Sequence, residues 1–238
     1  MTDAPALPRR FYDSVSVVES GGGFGIKLDA RTLRTPGGAP FVAGTRALAE
    51  LCASEWSAQH EHISPATMPA SQLAFAALDR TAENRGDLVD YIAAFGETDL
   101  CCHRAEAPLE LARRHAALWD PIVAWASEQL GIRLPVIVGI VAASVDPAEI
   151  ARLRDVAASL SDFQLTALAQ TTGLAGSVLI GLALVHGALG PEQAFEAACL
   201  DNLWSLERWG EDEEARARLE HHRLEFHAIS RFIAALEV

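Results

Sequence analysis

The chain has 238 residues, 50% of them hydrophobic and 21% charged, enough to bury roughly 70 to 75% of the unfolded surface in one or two cores. This excludes a disordered chain, a collagen-like repeat and a disulfide-stapled miniprotein. A formal net charge of -13 repels phosphate backbones, so nucleic acid and anionic membrane are set aside as partners.

The first residues carry Asp3, Pro5 and Pro8 where a secretion signal needs an apolar stretch, which predicts a protein kept inside the cell, in the cytoplasm of a bacterium. Val15 and Val17 then alternate with Ser14 and Ser16, and Phe24, Ile26 and Leu28 alternate with Gly25 and Lys27. That period of two predicts strands joined through Ser20 to Gly23, with Asp29-Ala30 turning the chain toward Thr32 to Thr35. Pro36-Gly37-Gly38 turns again before a short Phe41-Val42 segment.

After Gly44 the period changes. Leu48, Leu51, Cys52 and Trp56 recur at helical spacing behind Thr45, a residue suited to cap them. Pro108 and Asp120-Pro121 each fit a helix start, with a break or kink expected at the second. Asp146 with Glu149, and Ser161 with Gln164, have capping-box spacing, so helices are expected from 147 and from 162. Leu134 to Val141 is apolar and β-branched, and periodicity leaves a buried strand and an extended connector both open.

From Phe163 to Pro191 no charged residue occurs, but the apolar centre, Gly173 to Val185, falls short of the roughly 20 residues a membrane span needs. A buried helix at the centre of a soluble domain is expected instead. In the last helix Ala215, Leu219, His222, Phe226, Ile229, Ile233 and Leu236 step by three and four, a stripe expected to pack onto its own domain. The free protein is accordingly expected to be a monomer.

The change of period and the Ile63 to Pro69 connector predict an α+β fold: a β-hairpin-rich domain over 1–70 with one helix, then a helical domain over 71–238. The excess acid is concentrated in 43–110 and 192–238, mainly on helices. It fits solvated helix faces and also a surface that attracts a basic partner.

Little in the chain carries chemistry. Gly21 to Gly25 precedes a strand, whereas a dinucleotide loop opens a helix, and the one lysine, Lys27, forms no phosphate-binding motif. Ser177 lacks the following glycine of a nucleophile elbow; with Gly176 and Gly181 it fits close helix packing. His60-Glu61-His62, Cys101-Cys102-His103 and His221-His222 with Glu225 have neither zinc-knuckle nor zincin spacing. His115 and His222 lie on apolar stripes as core histidines, while His60, His62 and His221 are expected in solvent. The four cysteines are expected as free thiols. The rival to a binding protein is a metal- or thiol-dependent enzyme built on Cys101-Cys102-His103; otherwise no cofactor, metal site or catalytic set is expected.

Five tryptophans remain, Trp56, Trp119, Trp125, Trp204 and Trp209, several beside acids. Tryptophan is enriched in binding hot spots. Trp204 and Trp209 are five apart, so on one helix they point to different sides, one buried and one presented beside Gly210 as a helix stop and an acidic restart over Glu211 to Glu214.

With these residues in order the chain resembles the assembly chaperones of F-type ATP synthase that act on the alpha subunit of the catalytic sector, a family of mitochondria and alphaproteobacteria. The resemblance runs through Arg10-Phe11-Tyr12, Leu28 to Arg31, Thr35-Pro36, Glu55-Trp56 with Gln59, Ile63, Pro65, Met68-Pro69, Leu73-Ala74 and Asp79. It continues with Thr98 to Leu100, Arg104-Ala105, Pro108, Trp119 to Pro121, Trp125, Gly176-Ser177, Trp204, Glu207, Trp209-Gly210, Asp212 and Glu214-Ala215. Departures occur at Ala30, Cys101, His103, Asn202 and Ser205, the last two replacing an acid and an amide. The resemblance implies a non-catalytic chaperone without stable membrane insertion, in the mitochondrial matrix if the source is a eukaryote. Its partner would be the unassembled alpha subunit, held until it pairs with the beta subunit. Trp204, Glu207, Trp209, Gly210, Asp212 and Glu214 are the implied partner-binding residues, with tryptophan as anchor and the acids answering basic groups.

Overall fold

The computed structural model describes residues 7–141, 143–210 and 212–237. The fold is α+β, a small antiparallel sheet followed by many helices, and it divides into two compact units. The first runs to Glu83 and recruits residues from Arg231 onward; the second spans Asn84–Ser230.

In the first unit β1 (Val15–Ser20), β2 (Gly23–Leu28) and β3 (Arg31–Thr32) form an antiparallel meander, with Val17 opposite Ile26 and Ser20 opposite Gly23 across the hairpin. The Phe41-Val42 segment forms no strand, and next to it Ala43 makes one bridge to Phe24. Asp29 closes the second turn by accepting from Ser14 N at 2.8 Å and Ser14 Oγ at 2.9 Å, bonds that hold its carboxyl below the usual range. Helix α1 (Arg46–Ser57) begins at Thr45, whose hydroxyl accepts from Leu48 N at 3.2 Å. It buries Leu48, Cys52 and Trp56 of the expected stripe, and Leu51 is half-buried.

Polar side chains tie the connectors of this unit. Glu55 accepts from the amides of Ala70 and Ser71, both at 2.8 Å, and so caps α2 (Pro69–Ala76). Gln59 bonds Glu55 O, Thr67 Oγ1 and Ser64 N. Asp79 reaches Thr35 Oγ1 at 2.6 Å and Gly37 N at 2.8 Å, fixing the Pro36 turn.

In the second unit the helices are α3 (Arg85–Ala94), α4 (Leu109–Trp125), α5 (Pro147–Ser159), α6 (Asp162–Ala175) and α7 (Val178–Val185). They continue with α8 (Pro191–Ala198), α9 (Leu200–Trp209) and α10 (Glu213–Ala234). Ser161 and Gln164 make the full capping box at α6. Asp146 caps α5, but Glu149 turns away to accept from Arg133 N at 2.7 Å, so that box is half formed. Pro121 does not stop α4; the helix runs through it and ends in a π turn over Ala126–Leu130. The uncharged run expected as one buried helix is two, α6 and α7, broken at Gly176-Ser177. No helix of the described residues is long and apolar enough to cross a membrane. The Leu134 to Val141 segment is neither a fully buried strand nor a plain connector: β5 (Ile137–Val138) pairs in parallel with β4 (His103–Arg104), leaving Val138 68% exposed. The stripe of α10 is covered by its own chain, with Phe226 wholly buried and 6.5 Å from Phe195 ring to ring.

Every residue of α7 is buried, so water cannot serve the amides of its first turn. Asp99 does: its carboxylate accepts from Leu179 N at 3.1 Å, Ser177 Oγ at 2.7 Å and Cys101 N at 2.9 Å. Burial is complete and raises its pKa to about 6 against those donors. Between the unfolded value near 3.8 and the folded value near 6, folding takes up a proton, so stability is lost as pH rises through that window. Asp99→Asn should remove this slope, on the order of 3 kcal/mol across the window, in urea unfolding followed from about pH 4 to about pH 7. The same slope in wild type and variant would contradict the assignment.

Candidate functional site

The partner-binding residues implied by the sequence gather at the elbow between α9 and α10. Trp204 is the buried member at 8% exposure and Trp209 the presented one at 83%. Trp204 is held by two guanidiniums, Arg114 at 4.6 Å and Arg208 at 5.5 Å from its ring centre, which makes it a structural support for α9. Glu207 pairs with Arg114 at 2.7 Å, and Arg208 approaches Glu110 at 4.0 Å, tying the end of α9 to the start of α4. Arg114 carries no local signal of this role, because its partners lie far along the chain.

Gly210 stops α9 with φ 94° and ψ 176°, a backbone region that a side chain would strain. Asp212 accepts from the amides of Glu214 at 3.0 Å and Ala215 at 3.4 Å, so it caps α10. Glu214 reaches Arg218 at 2.7 Å one turn on, and Glu211 lies outside the described residues. Asp212, Glu213 and Glu214 thus put three carboxyls at the amino end of a helix, where the dipole favours them.

Between the two helices lies a cleft of about 380 Å³. Leu206, Trp209, Ala215 and Leu219 give it an apolar wall, while Asn202, Ser205, Asp212, Arg218 and His222 supply polar atoms. Two of the five departures from the family pattern, Asn202 and Ser205, therefore face the same cavity. Its lining was only partly legible: Leu219 belongs to the α10 stripe, but Leu206 and Arg218 join the site only once Gly210 turns the chain.

The alternative chemical centre finds no support. Cys101 and Cys102 are buried; burial together with the Asp99 charge raises the Cys101 thiol well above its ordinary value and Cys102 to about 12. Both remain protonated at neutral pH. His103 turns its Nδ1 toward Gly139 O at 3.2 Å. Among the described residues no three His, Cys, Asp or Glu side chains are grouped to hold a metal ion. His115 is a satisfied core histidine: it accepts from Ala105 N at 3.1 Å, meets Asp201 at 2.7 Å and stacks on Trp119 at 4.1 Å. His222 is half-buried beside Cys199 at 3.8 Å, and His60, His62 and His221 are exposed.

The chain is similar to known proteins of one family. The family described as ATP12 chaperone protein matches residues 9–127. The mitochondrial protein atp12 of Schizosaccharomyces pombe is 25% identical over 219 residues, 87% of this chain and 75% of that protein. The crystal structure of Atp12 from Paracoccus denitrificans is 36% identical, with a TM-score of 0.91 over 97% of this chain and 99% of that one. A protein of Agrobacterium tumefaciens, suggested to be a chaperone, is 38% identical with a TM-score of 0.90, covering 97% of this chain and 87% of its own.

The different surroundings of the two tryptophans predict different costs of truncation. Trp204→Ala should lower the unfolding free energy by about 3 to 5 kcal/mol, whereas Trp209→Ala should change it by about 0.5 kcal/mol or less. Denaturant unfolding of the two variants checks this; equal losses would reverse the assignment of support and presented ring.

Proposed function

This chain belongs to the ATP12 chaperone family, and on that premise we propose that it binds the unassembled alpha subunit of the F-type ATP synthase catalytic sector and shields it until the beta subunit arrives. An unassembled subunit exposes the surface it will later bury against its neighbours, and such a surface aggregates. A chaperone covers it reversibly, with an affinity that the proper neighbour exceeds by burying more of the same face. No bond is made or broken in that cycle, in line with Cys101 and Cys102 thiols held protonated.

The observation that carries the reading is Trp209. Glu55, Gln59, Asp79, Asp99 and Trp119, all part of the family resemblance, hold the fold together internally. Trp209 instead leaves a large apolar ring 83% exposed on the rim of the α9–α10 cleft. An exposed tryptophan beside an apolar cavity, with Asp212 and Glu214 close by, suits an apolar segment that carries basic groups. Glu207 and Gly210 complete the contact by setting the angle at which the ring is offered. The free chain acts as a monomer, in the bacterial cytoplasm or, in a eukaryote, in the mitochondrial matrix.

Trp209→Ala should weaken capture of purified alpha subunit by about tenfold or more while the unfolding midpoint stays in place. Capture equal to wild type removes Trp209 as the anchor. Light scattering gives the broader test: the wild-type chain should suppress aggregation of the isolated alpha subunit, and failure to do so refutes the function itself.

A further inference from the structure

The small sheet of the second unit ends on an unprotected edge. Register places His103 opposite Ile137 and Arg104 opposite Val138, and Gly139 N donates to Arg104 O at 2.8 Å. In this parallel pairing Ile137 and Gly139 direct their backbone groups to β4, so the amide and carbonyl of Val138 point the other way. Among the described residues no strand lies on that side. Edge strands are ordinarily guarded by charge, yet no charged residue occurs between Arg133 and Asp146. Val136, Val138, Ile140 and Val141 are 45%, 68%, 94% and 83% exposed. A β-branched apolar strand in solvent with unpaired backbone groups is matched by another polypeptide strand, which alone supplies both the side chains and the backbone donors and acceptors.

From this edge a run of residues leads along the start of α4 to the elbow described above. A Cβ placed on Gly139 would sit 2.9 Å from Glu106 Oε1, so that carboxylate lies along the strand. Leu109, 64% exposed, follows it at the start of α4, and Glu110 reaches Arg208 next to Trp209.

We propose that the free edge of β5 receives an extended apolar segment of the client alpha subunit as an added strand, with a basic residue of that segment opposite Glu106. The inference rests on the function proposed above. Trp209 then grips one part of the client while β5 pairs with another, which enlarges a contact that a single cleft is too small to provide.

Hydrogen exchange on the full chain tests this, with and without purified alpha subunit, alongside a V138K/I140K variant whose substitutions lie on exposed positions. With subunit present, amides from Val136 to Val141 should exchange at least about tenfold more slowly, and the double variant should capture about tenfold less subunit at an unchanged melting temperature. If wild type binds the subunit but these amides gain no protection and the variant captures equally well, the strand inference is wrong and the function stands. If wild type does not bind the subunit, both fall. Protection that grows with the chain's own concentration, without subunit, assigns the edge to a second copy and overturns the proposal.

Discussion

Burial of all eight residues of α7 forces the arrangement of the second unit. A helix with no solvent-facing side must satisfy its first-turn amides from within the protein, and Asp99 supplies the acceptor from a distant part of the sequence. The same carboxylate receives the Ser177 hydroxyl and the Cys101 amide. One group therefore joins the turn before β4 to the start of α7. Its charge also helps to keep the neighbouring thiols protonated, so the interaction that builds the unit removes the most reactive side chains from chemistry. The cost is a carboxyl that titrates near 6.

From α7 the constraint passes toward the surface. Trp119 on α4 donates to Ala197 O at 2.9 Å, fixing the end of α8, from which α9 follows directly. Arg114, five residues earlier on α4, lies against Trp204 and pairs with Glu207. The exposed ring of Trp209 thus stands on a helix that is tied down through buried Trp204 and through the Arg114–Glu207 pair at the surface. In the proposed contact, a side chain carried on a fixed helix would lose less conformational entropy than one on a mobile segment. That suits a chaperone that must hold moderately and let go.

Most of the polar residues that carry the family resemblance act inside the molecule. Glu55 caps α2, Gln59 folds the connector after α1, and Asp79 fixes the Pro36 turn. Nothing in the linear sequence marks them as structural, because their partners lie 4 to 44 positions away. Trp56, next to Glu55 in the sequence, is buried at 8% exposure, whereas Trp209, with acids two positions away on either side, is 83% exposed. The residue type is the same, and burial separates the tryptophan that supports the fold from the one that is presented.

The sequence by itself determined the hairpin of β1 and β2, the caps at Thr45 and Ser161, the stop at Gly210 and the stripe of α10, because each is encoded by side chains within a few residues of the feature they create. It also determined that Trp204 and Trp209 take different surroundings, since five residues on a helix is not a whole number of turns. Tertiary structure decided which of the two is covered: Arg114 lies ninety residues earlier and no local pattern connects it to Trp204. It decided as well that α4 continues through Pro121, that the uncharged run breaks where Ser177 meets Asp99, and that Val138 and Ile140 remain in solvent. In each case the outcome depends on what a distant segment offers a local group, a hydrogen-bond acceptor, a cation or nothing at all.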